Sequence, residues 1–346
     1  MAAPHLILIA LLTLLASGGA FATLTDRASA GRTAHPAPSP SAPEPTPAAT
    51  GTPHHTPGEP PTSADFADIR TAPRAAPRPR NRRGASTGTF TSRCGRNTEG
   101  HRNPDNFIVA PGVANGAHHV HDYVGNLSTD AFSTDDSLRA ADTTCTNGDK
   151  STYFWPVLRD ITATDDGADP DLNTGRVLTP ARVTLTFRGN PTAKVTAMPE
   201  GLRAITGDAR AFTNGGANAR AQWTCTGFGD RVLTDRYPVC PGTSQVVRVL
   251  DFPSCWDGTG TDSANHRAHL VFPDRATGAC PAGTKPVPQL RIRLAYDAPD
   301  APGFALDSFP EQLHKPVTDH ADFAAFLPPG LMERAVRCVN SGRHCG

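Results

Sequence analysis

The sequence predicts a mainly β protein: a single β-rich domain, sandwich or jelly-roll-like, with long Gly/Pro loops, a short C-terminal helix and disulfides. Three observations predict it. Arg182-Val-Thr-Leu-Thr-Phe187 and Gln289-Leu-Arg-Ile-Arg-Leu-Ala-Tyr296 alternate polar and apolar residues with the period of two that a half-buried strand requires. Gly and Pro are abundant, 31 and 34 of 346 residues, while aromatics make up 6%, a balance that suits turns and connections better than a helical bundle. All eight cysteines lie at or beyond Cys94 and their number is even, which reads as a disulfide framework.

The N-terminus reads as an export signal over residues 1–22. An apolar run from Leu6 to Ala16 is followed by Ala20-Phe21-Ala22, which fits an A-x-A cleavage site. That run falls short of the roughly 20 residues a bilayer span needs, and no later segment is apolar enough to cross a membrane. Residues 23–87 are Pro-, Ala- and Thr-rich, a composition that cannot bury enough apolar surface to offset ordering, so a disordered linker is expected. Its basic end, Arg74 to Arg83, reads as a solvated tether.

Residues 88–346 then form the folded domain, long enough for one sizeable core. Strands are expected at Arg182–Phe187, Lys194–Met198, Gln245–Phe252, His269–Phe272 and Gln289–Tyr296, separated by Gly, Pro, Asp and Asn. Helices are expected at Asp319–Phe326 and, after Pro328-Pro329, at Gly330–Val339. Chain proximity suggests the pairs Cys225–Cys240, Cys255–Cys280 and Cys338–Cys345, which leaves Cys94 for Cys145. With no C-x-x-C pair, a zinc–thiolate site is disfavoured. Lys+Arg and Asp+Glu both number 33, so net charge argues for neither a nucleic-acid nor an anionic-membrane partner. The expectation is a secreted monomer with no membrane contact once the signal is cleaved.

Chemistry concentrates in three segments. Gly116-Ala-His-His-Val-His-Asp-Tyr-Val-Gly-Asn126 places His119 and His121 two residues apart, on one face of an extended chain. Asp257 to His269 contains Asp257, Asp262, His266 and His269, beside Trp256. Asp319-His-Ala-Asp322 contributes His320 and Asp322. Imidazole and carboxylate bind metals and move protons near neutral pH. Three chemistries fit. The first is a divalent metal ion on His119, His121 and one of His266, His269 or His320, with His269 the working choice. The second is His/Asp acid–base catalysis, with Arg203 neutralising a substrate carboxylate and Trp256 in the binding surface. The third is an Asp257/Asp262 carboxylate pair, which leaves the histidines without a role. Against all three stands the reading that these side chains merely pin loops.

The motifs also resemble a family. Phe107-Ile-Val-Ala-Pro-Gly112, Gly116-Ala-His-His-Val-His121, Asp149-Lys-Ser-Thr-Tyr-Phe-Trp-Pro156, Pro199-Glu-Gly-Leu-Arg203, Phe252-Pro-Ser-Cys-Trp-Asp-Gly258, Asp262-Ser-Ala-Asn-His266 and His320-Ala-Asp-Phe323 occur in the order seen in the secreted domain of unknown function 1996. The resemblance implies a secreted microbial protein, in a family found in bacteria and fungi, and no established reaction; a bacterial producer is expected. The matching positions are His119, His121, Trp256, Asp257, Asp262, His266, His269, His320 and Asp322; His118 stands where the family more usually has a small hydroxyl residue. Two functional classes follow: a polysaccharide-cleaving hydrolase or lyase with a His/Asp, metal-dependent site, and a non-catalytic cell-wall or glycan-binding protein whose motifs are structural.

Overall fold

The computed structural model describes residues 56–164 and 169–346; the expected export signal and the first part of the expected linker lie outside the described residues. Two sheets dominate. The larger has six strands in the order Trp223–Cys225, Val246–Asp251, Gln289–Tyr296, Arg182–Arg188, Thr89–Ser92 and His344–Cys345. The second has five, Arg102–Asn103, His121–Gly125, Thr152–Pro156, His320–Ala324 and Arg203–Gly207.

Period-two burial builds the six-stranded sheet: Leu290, Ile292 and Leu294 are buried while Gln289, Arg291 and Arg293 are half-buried. Its inner face meets the five-stranded sheet through aromatic rings. Phe187 lies 6.1 Å from Phe323, centroid to centroid, and Phe252 lies 6.2 Å from the same ring. Tyr153, Trp155 and Phe323 of the smaller sheet join this main core. Tyr123, Phe154, Ile205 and Ala324 project from the opposite face, where Phe107, Ile108 and Leu138 cover them as a second cluster. The three central strands of the five-stranded sheet are thus buried on both faces. Because side chains alternate, His121, His320 and Asp322 share the face turned away from the main core.

The mainly β reading holds: the strands Arg182–Arg188 and Gln289–Tyr296 lie where the alternation puts them, and Val246–Asp251 falls within the strand expected at Gln245–Phe252. The four disulfides join Cys94–Cys145, Cys225–Cys240, Cys255–Cys280 and Cys338–Cys345, the pairs that chain proximity suggests. The C-terminal helix runs Pro329–Asn340 and buries Leu331, Met332, Ala335 and Val339 on one stripe. No helix among the described residues is long and apolar enough to cross a membrane.

Three expectations are corrected. The segment expected as a helix at Asp319–Phe326 contains the strand His320–Ala324, hydrogen-bonded to a neighbour on each side, and that ladder outweighs its local pattern. Lys194–Met198 forms no strand, although Val195 and Met198 are buried. The linker was expected to reach residue 87, yet residues 56–87 pack against the domain. Phe66–Asp68 pairs in parallel with Tyr237–Val239, and Phe66, Ile69 and Ala72 are buried. Three apolar residues spaced by three across short 3-10 turns suffice to dock a segment that is otherwise Pro- and Arg-rich.

Candidate metal centre

The site forms where residues 104–121 cross the outer face of the five-stranded sheet. Asp105 and Asn106 shape that crossing. The Asp105 carboxylate accepts from the backbone N–H of Asn115 (2.8 Å) and Ala131 (3.0 Å), and Asn106 Oδ1 accepts from Ile108 N–H (3.0 Å). His118 takes a left-handed turn (φ 55°) and points outward, its Nδ1 2.9 Å from Asp171. The chain then runs extended through His119 into the strand His121–Gly125, so His119 and His121 both face inward.

His320 arrives from the neighbouring part of the sheet. Its position requires Gly207, its ladder partner on Arg203–Gly207. Gly207 has φ +78°, and a Cβ there would lie 2.2 Å from the Asp319 carbonyl oxygen and 2.7 Å from His320 Cα. The residue beside each of these two strand histidines is anchored on the opposite face. Arg248 grips Asp319 with Nη2 at 2.5 Å and Nε at 3.1 Å, both side chains fully buried, and donates Nη1 to the Pro156 carbonyl (2.8 Å). Asp122 accepts from Arg102 Nε (2.6 Å) and Asn97 Nδ2 (2.8 Å).

Three imidazoles converge. His119 Nε2 lies 3.1 Å from His121 Nε2 and 3.1 Å from His320 Nε2. The outer nitrogens fix the tautomers. His121 Nδ1 lies 3.0 Å from the Asp105 carbonyl and His320 Nδ1 2.9 Å from the Thr318 carbonyl; carbonyls only accept, so both Nδ1 atoms carry the proton. Their Nε2 lone pairs therefore point at His119, whose buried Nδ1 has no partner. The three rings form a group able to hold a metal ion.

Burial keeps this cluster neutral. It pushes the His121 imidazole down to about 3, with the neighbouring His320 adding to the effect, and His320 down to about 4. His119 is driven well below its ordinary value, by burial first and then by its two imidazole neighbours. Beside them Asp322 is buried with neither carboxylate oxygen hydrogen-bonded. Desolvation pushes its carboxyl up to about 7, offset only in part by the Asn106 side chain and the Arg267 charge. His119, His320 and Asp322 line a cavity of about 320 Å³, with Asn106, Arg210 and Arg267 among its walls.

His119, His121, His320 and Asp322 thus come together as a site. The Asp257–His269 segment does not join them. Asp257 Oδ1 accepts from the N–H of Thr259 (2.8 Å) and Gly260 (3.0 Å), closing a turn. Asp262 accepts from Ser263 N–H and pairs with His266 Nδ1 at 3.0 Å. His269, the expected third ligand, spends both ring nitrogens on Ser263 Oγ (3.0 Å) and the Arg203 carbonyl (2.8 Å), and His320 takes its place. The segment braces Arg203–Gly207, an edge strand, whose Arg203 N–H also donates to Thr261 O. Arg203 is itself committed to Asp135 (2.8 Å) and the Gly201 carbonyl (3.0 Å), and Trp256 donates to Gly260 O (2.6 Å) beneath Lys285. Neither lines the cavity. Sequence reasoning passed over Arg267, which lay unremarked among those histidines, and Arg210 and Arg248, for which the sequence carries no signal.

A family model described as a domain of unknown function (DUF1996) matches residues 106–325. Neither the curated proteins nor the solved structures contain a match.

Proposed function

The chain belongs to the DUF1996 family, and from that premise we propose that it is an exported, metal-dependent enzyme that cleaves polysaccharide. In this reading His119, His121 and His320 hold a divalent transition metal, and Asp322 moves a proton at the reacting bond. One observation carries it: His119 Nε2 lies 3.1 Å from Nε2 of both His121 and His320, with Nδ1 of His121 and His320 already donating outward. With the protons of His121 and His320 committed outward, His119 can supply at most one proton to two inward lone pairs, an arrangement that a cation between them would complete.

The spacing agrees. Nitrogens held about 2.0–2.1 Å from a four-coordinate ion stand roughly 3.3 Å apart, close to the 3.1 Å found here. When bound, such an ion supplies a Lewis acid and an activated water. The protein's own contribution is positional. The Asp105 and Thr318 carbonyls orient two rings, Arg248 holds Asp319 and so the strand register of His320, and Asp322 offers a buried carboxyl on the cavity wall with no hydrogen bond already using it. Histidines held at about 3 and 4 are weak bases at neutral pH, so lyase chemistry with a histidine base is disfavoured. The Asp257/Asp262 pair is dropped, since both carboxylates are used in loop hydrogen bonds. Four disulfides support export.

The test is metal content by mass spectrometry of the chain purified without chelators, beside a His119→Ala/His121→Ala double variant. A stoichiometric transition metal in the parent, absent from the variant, with release of reducing ends from a polysaccharide panel lost in parallel, is the expected result. A metal-free parent, or turnover unaffected by the substitutions, would overturn it; no turnover on any polysaccharide would leave non-catalytic glycan binding.

A further inference from the structure

We propose that Arg210 and Arg267 form an anion subsite on the cavity wall, so that the substrate is an acidic saccharide bearing a carboxylate or sulfate oxyanion; this rests on reading the cavity as the site of glycan cleavage. Arg210 and Arg267 line the same cavity as His119, His320 and Asp322. Neither has a carboxylate within ion-pair distance among the described residues, unlike Arg102, Arg159, Arg188, Arg203, Arg248 and Arg291.

Each is nonetheless held in place. Arg267 donates Nη2 to the Gly207 carbonyl at 2.8 Å, which spends one donor and leaves the rest of the fork free. Arg210 stacks over Phe309 at 4.7 Å, and that ring meets His119 edge-on at 5.6 Å, so a single aromatic ring separates the guanidinium from the histidine cluster. Two acids share the wall: Asp208 accepts from Arg210 N–H (2.9 Å), Asn214 (2.9 Å) and Asn218 (3.4 Å) and serves its own turn, and Asp322 is buried beside the histidines, where the Arg267 charge reaches it. A positioned, unpaired guanidinium presents a planar fork that matches carboxylate or sulfate oxygens. Two of them in one cavity with His119 and His320 favour an anionic ligand over a neutral sugar, whether or not a metal is held there.

The experiment titrates the full chain, with and without chelator, with a galacturonate trimer, a sulfated oligosaccharide and a neutral xylose oligomer, following heat or tryptophan fluorescence. The parent should bind one acidic ligand about tenfold or more tightly than the neutral one, and which acid wins names the oxyanion. Arg210→Ser/Arg267→Gln should erase that preference, and Arg210→Lys should retain part of it, without a change in melting temperature. Persistence of the preference in chelator with no metal found would sink the metal reading alone. Equal affinity for acidic and neutral ligands, or a preference untouched in Arg210→Ser, would overturn the subsite and leave the metal reading standing.

Discussion

Replacing His119 with leucine separates a metal centre from a structural histidine network by the sign of a stability change. In metal-free protein the Nε2 atoms of His121 and His320 are acceptors, because their protons sit on Nδ1 facing the Asp105 and Thr318 carbonyls. Neutral His119 has one proton to give. Placed on Nε2, it satisfies one neighbour, worth about 1 kcal/mol net, and leaves Nδ1 a bare buried acceptor, which costs about 1–3 kcal/mol. Placed on Nδ1, where only the Ala117 backbone is at hand, it leaves the His119 Nε2 lone pair opposed to those of His121 and His320 at 3.1 Å each. Either way the gain does not exceed the penalty, so His119→Leu in chelator should match the parent within about 1 kcal/mol or exceed it. With zinc or manganese at 100 times its dissociation constant the parent should gain about 2.7 kcal/mol, a rise in melting temperature of roughly 5 °C for a domain of this size, and the variant none. The assay is thermal and urea denaturation of both proteins in each condition. A variant weaker by about 3 kcal/mol in chelator, with a parent indifferent to metal, would refute the argument.

Three further outcomes are expected. Gly207→Ala places a Cβ 2.2 Å from the Asp319 carbonyl oxygen at a left-handed φ, so it should cost on the order of 2–4 kcal/mol and lower metal retention together, measured by urea titration and metal analysis. Asp319→Asn leaves the fully buried Arg248 without its counter-charge and should cost about 3–5 kcal/mol, whereas Arg248→Met/Asp319→Leu should recover most of that loss; an equally unstable double variant would contradict this. Burial alone would raise the Asp251 carboxyl, but Arg291 and Arg188 hold it at about 2, below its ordinary value near 3.9. A depressed carboxylate stabilises above its unfolded value, so the parent should lose about 2 kcal/mol relative to Asp251→Asn as pH falls from about 4 to 2. A gap between the two urea midpoints that stays constant over that interval would count against it.

What the sequence made legible follows from how each strand is buried. Gln289–Tyr296 faces the core on one side only, and its Leu/Arg alternation records that directly. His121–Gly125 and His320–Ala324 are buried on both sides yet carry His and Asp; Asp122 finds a distant partner in Arg102, and Asp319, just before the second strand, finds one in Arg248. Nothing local announces such partners, and the second of these strands reads as a helix. The pairing of His119 with His121 was visible from their spacing of two, but the choice of His320 over His269 depends on which strand lies next to which. The Asp257–His269 segment misled for a related reason: turns and edge braces use the same Asp, Ser and His that catalysis uses. The buried anchor of residues 56–87 was hidden by its composition, since Phe66 and Ile69 are few among many prolines and arginines.

The strand order has a consequence in time. His320–Ala324 is flanked in its sheet by Thr152–Pro156 and Arg203–Gly207, both made much earlier, and His119 and His320 stand 201 residues apart in the chain. During synthesis at about 5–20 residues per second, the first two histidines wait beside an unfilled slot for roughly ten to forty seconds before the third exists. No three-nitrogen pocket exists until that slot closes, so any ion the three rings hold could enter only after the last third of the chain has been made and docked.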